Sequence, residues 1–359
     1  ERSCNDEICT DVFSNNNTGA TSVAVVLEEF TGAWCGWCPD GGVILDDLIA
    51  ANPGQVIGVS IHDNDQMEYA EGIRSAFNVT AYPNGLVDRA LFAGDPKESH
   101  SRGAWTANVA TRLARYTPVE ASVTHTYDPG TRLITATVTA DFVDYAAGDM
   151  RFVCEITEDN VTGTGTGYDQ VNYLNTTAGH PYEGAGDPII GYNHRHVLRA
   201  NPSGVYGNAG IIPAVVSPGA MYSETFTYTL PAGYDENEIT VVGFVAYGTP
   251  TIGDREIMNA DEAHLDEAAL TENSLFAGFN VAPNPASGEF TLNIDLREAI
   301  TADIIIYNML GEVVGTIASG TYVAGQHTIQ ANTGDLTSGS YFVTIKTANA
   351  SFSEKLIIR

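Results

Sequence analysis

The stretch of sequence that decides the fold is Trp34-Cys35-Gly36-Trp37-Cys38-Pro39. It places two thiols at C-x-x-C spacing directly after the apolar run 23–27, which is typical of a strand buried on both faces of an α/β sheet. If Cys38 and Pro39 lie in the first turn of the next helix, Cys35 lies at the N-terminus of that helix. The unpaired N–H groups and the macrodipole there favour a thiolate, which is the attacking species in disulfide exchange.

Strand and helix signals alternate around the two cysteines. The sequence indicates strands at 23–27, 55–61 and 85–92, and helices between them and after them at 43–49, 67–77 and 105–116. Asn52-Pro53-Gly54 ends the first helix, and crossover connections of this kind make the first two strands parallel. The pattern predicts an α/β domain over residues 23–118.

After Pro118 the pattern changes to the period-two alternation of strands. Alternating Thr and Val residues predict a β-sandwich or jelly-roll domain over 119–265. A polar linker is predicted at 266–278, and short strands between glycine turns predict a small Ig-like β-sandwich over 279–359. The fold class is therefore multidomain, with α/β followed by all-β domains.

Composition and charge limit the function. The chain has 359 residues, which at roughly 150 residues per domain predicts two or three domains. Its 45 acidic and 16 basic residues give a formal net charge of -29, which would repel nucleic acid and anionic lipid surfaces, and nucleic acid is excluded as a partner. No stretch reaches the roughly 18 apolar residues of a transmembrane segment. The first residue is Glu1 rather than Met, which favours a processed N-terminus.

Five cysteines indicate disulfide chemistry. Cys4 and Cys9 lie close together in the polar segment 1–22, so we predict a small disulfide loop and an oxidising compartment. A zinc site formed by these two with Cys35 and Cys38 is the alternative, although the spacing matches zinc ribbons poorly. Cys154 alternates with apolar residues in a strand-like run, which predicts a buried free thiol.

Two further polar groups are weaker candidates. His194 and His196 are predicted to share one face of a strand, but no Cys or Glu of ligand spacing accompanies them, which favours a structural role over metal binding. The run His62-Asp63-Asn64-Asp65 ends a strand signal, where Asn64 or Asp65 as a helix N-cap is the simpler interpretation. We predict no metal site and no cofactor.

The motif Trp34-Cys35-Gly36-Trp37-Cys38 matches the W-C-x-x-C of the thioredoxin superfamily, which the sequence resembles. By that resemblance Cys35 is the nucleophile and Cys38 the resolving thiol, and the two form a disulfide when oxidised. Glu29 is then the buried acid that shuttles a proton to or from Cys38. Pro83 is the cis-proline that faces the cysteines.

Three aromatic residues are predicted to contact the substrate, namely Trp34, Trp37 and Tyr82. The sequence departs from the superfamily at Trp37, where many reducing members have proline, and at Tyr82, where many have threonine. The direction of electron transfer therefore stays open. Gly41-Gly42 is expected to weaken the helix that carries Cys38, by about 1 kcal/mol per glycine relative to alanine.

A closer resemblance covers the first two predicted domains together. The stretches similar to the Bacteroidetes outer-membrane protein twenty-eight family are 28–39, 81–89 and 193–200. That family is surface-associated. The resemblance thus implies a location rather than an activity.

Residues 279–359 resemble the type A C-terminal sorting domain of the type IX secretion system. The matching pieces lie in order at 283–288, 306–314, 336–343 and 355–359. The resemblance implies export across the outer membrane by the type IX machinery, to a secreted or surface-attached location. The presence of this domain through Arg359 favours a docked or assembled form.

Two functional hypotheses follow. The first is a secreted or cell-surface thioredoxin-like protein that acts on client proteins as a thiol–disulfide oxidoreductase or redox chaperone through Cys35 and Cys38. The second is a non-enzymatic structural or binding protein of the cell surface or extracellular matrix, in which the same pair is a structural disulfide. Its sandwich edge strands would allow self-assembly into a homo-oligomer or filament.

Overall fold

The structure is a computed structural model that divides into two compact units, residues 1–266 and 267–359. It describes residues 20, 22–69, 72–265, 276–297, 299–308, 313–332, 334, 336–337, 339–347 and 351–359. The predicted Cys4–Cys9 disulfide lies outside the described residues. The predicted linker 266–278 lies outside them up to residue 275, and its last three residues begin a strand.

The first unit contains three helices and thirteen strands in its described residues. The helices are α1 (Cys38–Ala51), α2 (Ile73–Ala76) and α3 (Trp105–Leu113). The strands are β1 (Val25–Thr31), β2 (Val56–His62), β3 (Asn84–Val87), β4 (Ser99–Ser101), β5 (Val119–Asp128), β6 (Leu133–Phe142), β7 (Ala146–Ala147), β8 (Met150–Glu158), β9 (Val197–Ala200), β10 (Val215–Val216), β11 (Ala220–Thr229), β12 (Ile239–Tyr247) and β13 (Ile257–His264).

Eight of these strands form one sheet in the order β13-β12-β8-β9-β2-β1-β3-β4. β1 is parallel to β2, as predicted, and antiparallel to β3. Every residue of β1 and β2 is buried, so both faces and both edges of these strands need partners. β2 meets β9 in parallel at Ser60 and Val197. Strands on both sides of residue 118 therefore share one sheet, and the domain boundary predicted there stays a prediction.

Helices α1 and α3 cover one face of this sheet. Leu45 of α1 and Trp105 of α3 pack with Val25 and Leu27 of β1 in a buried cluster. Farther along, β11, β6 and β5 form a three-stranded sheet whose inner residues pack against β8 and β12. This β-rich, layered packing agrees with the predicted β-sandwich.

Two elements are shorter than the sequence predicts, a helix that begins later and a strand that ends earlier. The helix predicted at 67–77 is a helix only over Ile73–Ala76, because Gly72 has a φ of 76° and Asp65 fixes the preceding turn through its hydrogen bond from the Met67 amide. The N-cap role predicted for Asn64 or Asp65 is therefore wrong. The strand predicted at 85–92 ends at Val87.

A buried ion cluster crosses the eight-stranded sheet. The Arg89 guanidinium donates to both oxygens of Glu28 on β1, at 2.8 and 2.6 Å, and lies 3.4 Å from Oε1 of Glu155 on β8. The rings of Phe77 and Phe244 lie 5.2 and 4.9 Å from the guanidinium carbon. Burial, and then the negative charge of Glu28, raise the pKa of Glu155, whereas Arg89 opposes this rise.

The second unit is all β, as predicted. Its strands are β14 (Phe276–Ser287), β15 (Glu289–Leu296), β16 (Ile300–Asn308), β17 (Val313–Tyr322), β18 (Gly325–Asn332), β19 (Gly339–Lys346) and β20 (Ser351–Ile358). They follow the order β17-β16-β19-β20-β14-β15-β18 around a core of buried aliphatic and aromatic side chains. Among the described residues of both units, no helix has the length and apolar composition needed to span a membrane.

Candidate functional site

Cys35 and Cys38 lie where β1 passes into α1, and they are joined by a disulfide with a Cα–Cα distance of 5.3 Å. Cys38 and Pro39 are the first two residues of α1, which places Cys35 just before the helix N-terminus. The Cys38 amide donates to the Cys35 carbonyl at 3.1 Å. Only 5% of Cys35 and 3% of Cys38 is exposed, so the sulfurs lie beneath the protein surface.

Glu29 lies buried on β1 and lines the same small cavity as Cys38, a space of about 30 Å³. This volume is large enough for a water molecule. The Oε1 atom of Glu29 is buried without a hydrogen-bond partner. Burial first, and then the negative charge of Asp46, raise the pKa of Glu29 well above its ordinary value, while Arg102 acts in the opposite direction. The environment of Glu29 thus favours the neutral, protonated form over the charged one.

Gly41 of α1 makes room for this carboxyl. A Cβ atom added at Gly41 would overlap Glu29 Oε1 and would lie 3.2 Å from the Cβ of Pro83. The sequence identifies Gly41 only as a residue that weakens the helix. The structure gives it a spatial reason, because a side chain at this position would fill the space of the buried acid.

The peptide bond between Tyr82 and Pro83 is cis, and Pro83 is buried directly before the first residue of β3. The Tyr82 hydroxyl donates to Oδ2 of Asp63 at 2.7 Å, and the Trp34 indole N–H donates to the Asp63 carbonyl at 2.7 Å. The Trp34 and Tyr82 rings meet edge to face at 5.2 Å. Glu29, Pro83 and the cysteine pair are thus brought together around α1.

Trp34 and Trp37 are 41% and 46% exposed beside the disulfide. The Trp37 ring meets the Tyr173 ring edge to face at 5.8 Å, and the guanidinium of Arg102 lies 5.7 Å from the Trp37 ring centroid. The three aromatic residues predicted to contact substrate therefore border the cysteine pair, although Tyr82 is half-buried.

The connection between β8 and β9, residues 159–196, also reaches the cysteines. Gln170 is buried and donates its side-chain amide to the carbonyl of Cys35 at 3.0 Å, and the Tyr173 amide donates to the carbonyl of Gly36 at 2.9 Å. Sequence reasoning missed both residues. They lie more than 130 positions after the cysteines and carry no motif, so no local signal identifies them.

Three histidines, His62, His194 and His196, also line the cavity. His62 Nδ1 lies 2.7 Å from Asp65 Oδ2, and the rings of His62 and His194 meet at 5.1 Å. Burial and the neighbouring His62 lower the pKa of His194 to about 4, so its ring is neutral at ordinary pH. Burial would raise the pKa of Asp65, but the hydrogen bond and charge of His62 together with the main-chain hydrogen bonds from Ala33 and Met67 outweigh burial, so the net pKa is lowered.

His194 and His196 do not lie in a strand, contrary to the sequence prediction, because β9 begins at Val197. His194 forms an isolated bridge with Val161, and His196 has a φ of 56°. Cys154 is buried and free, as predicted. Within the described parts of the chain, no three His, Cys, Asp or Glu side chains converge to hold a metal ion.

Comparisons with known proteins identify both units. Residues 280–359 match the secretion system C-terminal sorting domain. Among solved structures, HBP35 of Porphyromonas gingivalis is similar in fold, with 18% identity and a TM-score of 0.54 over 95% of this chain and 100% of that one. A structural-genomics protein of Agrobacterium tumefaciens has 14% identity and a TM-score of 0.40 over 68% and 95%. No curated protein matches.

The sorting domain and the first unit together define the location of the protein, which is secreted or attached to the outer-membrane surface. The family match in the first unit begins after the cysteine pair and includes the cis Tyr82–Pro83 bond and the connection 159–196. Since residues 70–263, more than half of the chain, match outer membrane protein Omp28, the chain belongs to the Omp28 family.

Proposed function

We propose that this protein is a thiol–disulfide oxidoreductase or redox chaperone of the cell surface, with a thioredoxin-like site at Cys35 and Cys38. One observation carries the proposal. The Oε1 atom of Glu29 is buried without a partner in a cavity that Cys38 also lines. Leaving a buried carboxyl oxygen unpaired is unfavourable for stability, so a role in proton transfer gives a reason for its presence.

The surrounding strands support the thioredoxin-like assignment. β1 lies between the parallel β2 and the antiparallel β3, the C-x-x-C motif opens α1, and a cis-proline precedes β3. In this arrangement the first cysteine lies at a helix N-terminus, which stabilises its thiolate. The same features support the proposed roles of Cys35 as the nucleophile, Cys38 as the resolving thiol and Glu29 as the acid that exchanges a proton with Cys38.

Oxidation of a reduced client by the protein proceeds in two thiol–disulfide exchange steps. A client thiolate attacks the Cys35 sulfur, the Cys35–Cys38 bond breaks, and Cys38 leaves as a thiolate that takes a proton from Glu29. A second client thiolate then attacks the client sulfur of the mixed disulfide and releases Cys35. The client loses two electrons and gains a disulfide, and the protein gains the two electrons as a dithiol. Reduction of a client is the reverse sequence.

Refolding of reduced, unfolded ribonuclease in a buffer of reduced and oxidised glutathione tests this proposal, because the oxidised glutathione returns the Cys35–Cys38 dithiol to the disulfide after each turnover. The wild-type protein should accelerate recovery of ribonuclease activity, and Cys35→Ser should abolish the acceleration because it removes the attacked sulfur. Cys154→Ala is the matched control, since Cys154 is buried and burial raises its pKa to about 12. Equal acceleration by Cys35→Ser and the wild type would refute the proposal.

The second candidate is a structural or binding protein in which the disulfide only braces the fold. The specific observation in its favour is the burial of both cysteines. Strand β11, ten residues long, lies at the edge of its three-stranded sheet, which offers a surface for strand pairing between copies. Sedimentation over a range of concentrations tests assembly, and a particle that stays monomeric at high concentration counts against it.

A further inference from the structure

The connection between β8 and β9 forms one wall of the cysteine site. The Gln170 side-chain amide lies 3.3, 3.2 and 3.0 Å from the carbonyl oxygens of Gly32, Ala33 and Cys35. The Val171 amide donates to the Ala33 carbonyl at 2.8 Å. These hydrogen bonds tie the main chain at 170–171 to the loop that carries Cys35.

The Tyr173 ring closes this wall over the motif. A Cβ atom added at Gly36 would lie 2.5 Å from atoms of the Tyr173 ring, so the ring lies flat against the glycine between the two cysteines. Any side chain at Gly36 would displace it. The ring therefore covers the main chain at Gly36, between Cys35 and Cys38.

The backbone of this wall is also held by hydrogen bonds within the connection itself. Asn172 is buried. Its main-chain amide donates to the Asp187 carboxylate at 2.9 Å, and its side-chain amide donates to the Gly186 carbonyl at 2.8 Å. Gln170 and Ile189 exchange two main-chain hydrogen bonds at 3.1 and 2.8 Å. By contrast, Tyr173 is 56% exposed, so its side chain is the part of the wall with room to rotate.

We propose that the Tyr173 side chain is a gate over Cys35 that selects unfolded, extended polypeptide segments as clients. With the ring closed, a cysteine on a rigid folded surface cannot approach Cys35, a residue that is only 5% exposed. A slender extended segment can displace the ring and pack on the exposed faces of Trp34 and Trp37. This inference rests on the proposed function, because it concerns clients of the same disulfide.

The rate for a bulky client is the intrinsic rate multiplied by the fraction of molecules with the gate open. Removing the ring makes that fraction one. Since the Tyr173 ring contacts both Gly36 and Trp37, we expect its removal to raise the rate with a folded client by roughly tenfold. A slender client opens the gate itself, so its rate should change much less.

The test measures the rate at which two thiols open the Cys35–Cys38 disulfide. One thiol is a short unfolded peptide with a single cysteine, and the other is a folded protein with a single surface cysteine. The wild type should prefer the unfolded peptide, and Tyr173→Ala should reduce this preference roughly tenfold by accelerating the folded thiol. Tyr173→Phe should restore the wild-type preference, because it restores the ring.

Ile190→Ala is the matched control, since Ile190 belongs to the same connection and is 71% exposed. An unchanged preference in Tyr173→Ala, or an equal change in Ile190→Ala, would overturn the gate. The proposed function is judged separately by ribonuclease refolding. Refolding activity in the wild type with an unchanged preference in Tyr173→Ala refutes only the gate. A reduced preference without refolding activity in any variant supports the gate and refutes the oxidoreductase.

Discussion

Gly41→Ala tests whether the buried acid lies where the structure places it. The new methyl group would overlap Glu29 Oε1 and approach Pro83 Cβ to 3.2 Å, and both neighbours are buried. Inserting a methyl group into a filled interior costs about 1–3 kcal/mol. The same substitution gains about 1 kcal/mol from the higher helix propensity of alanine, so the net effect is a loss of about 0–2 kcal/mol.

Gly42→Ala is the matched control one position farther along α1. The nearest atom to a Cβ at Gly42 is the Tyr192 hydroxyl oxygen at 3.5 Å, an ordinary van der Waals contact. This variant should therefore be more stable than the wild type by up to about 1 kcal/mol. Because the propensity gain is common to both variants, the difference between them isolates the overlap with Glu29, about 1–3 kcal/mol.

Urea unfolding of the oxidised protein, followed by tryptophan fluorescence, measures both free energies of unfolding. The reasoning requires Gly41→Ala to have the lower midpoint of the two variants with an unchanged slope. If the two variants were equally stabilised, Glu29 could not lie against Gly41. The account of the cavity beneath Cys38 would then be wrong.

Two further predictions concern the ion cluster that crosses the eight-stranded sheet. Because the pKa of Glu155 is raised in the folded state, the folded protein holds this proton more tightly than the unfolded chain does, and its contribution to stability is lost as pH rises above the unfolded value. Glu155 should contribute a fall in the free energy of unfolding of up to about 1.4 kcal/mol per pH unit between about pH 5 and its raised pKa. Glu155→Gln should remove this contribution, so the wild type should lose stability more steeply with pH than the variant in urea titrations; identical slopes in both proteins would contradict this. Arg89→Met should lower the free energy of unfolding by about 3–5 kcal/mol, because it leaves the Glu28 carboxylate buried and unpaired, whereas Arg195→Met, at a side chain 46% exposed beside Asp46, should change it by less than about 1 kcal/mol. Similar losses in the two arginine variants by urea unfolding would count against the buried pair.

Local patterns in the sequence were enough to predict the start of the site. The apolar run before Cys35 predicts β1, and Cys38-Pro39 predicts the first turn of α1, because strand burial and helix N-termini have local signatures. Glu29 and Pro83 could be chosen because the C-x-x-C motif supplies a frame in which an acid and a cis-proline have expected positions. Those choices depend on short chain segments and one motif.

The rest of the site depends on contacts that have no local signature. Gln170 and Tyr173 reach the motif because β9 pairs with β2, and the partner of an unpaired strand edge cannot be inferred from hydrophobic periodicity. The role of Gly41 depends on the position of Glu29 across the α1–β1 interface. The early end of β3 is equally non-local, since the Asp88 carboxylate accepts from the Val26 amide at 2.9 Å and turns the chain away.

The reduction potential of the Cys35–Cys38 disulfide tests the central claim most directly. It is measured by equilibrating the protein with mixtures of reduced and oxidised dithiothreitol and counting free thiols, with Cys154→Ala used to remove the buried thiol from the count. A working exchange site beside a protonatable Glu29 should have a potential above about −300 mV, whereas a potential below that value would mark a structural bridge and contradict the account.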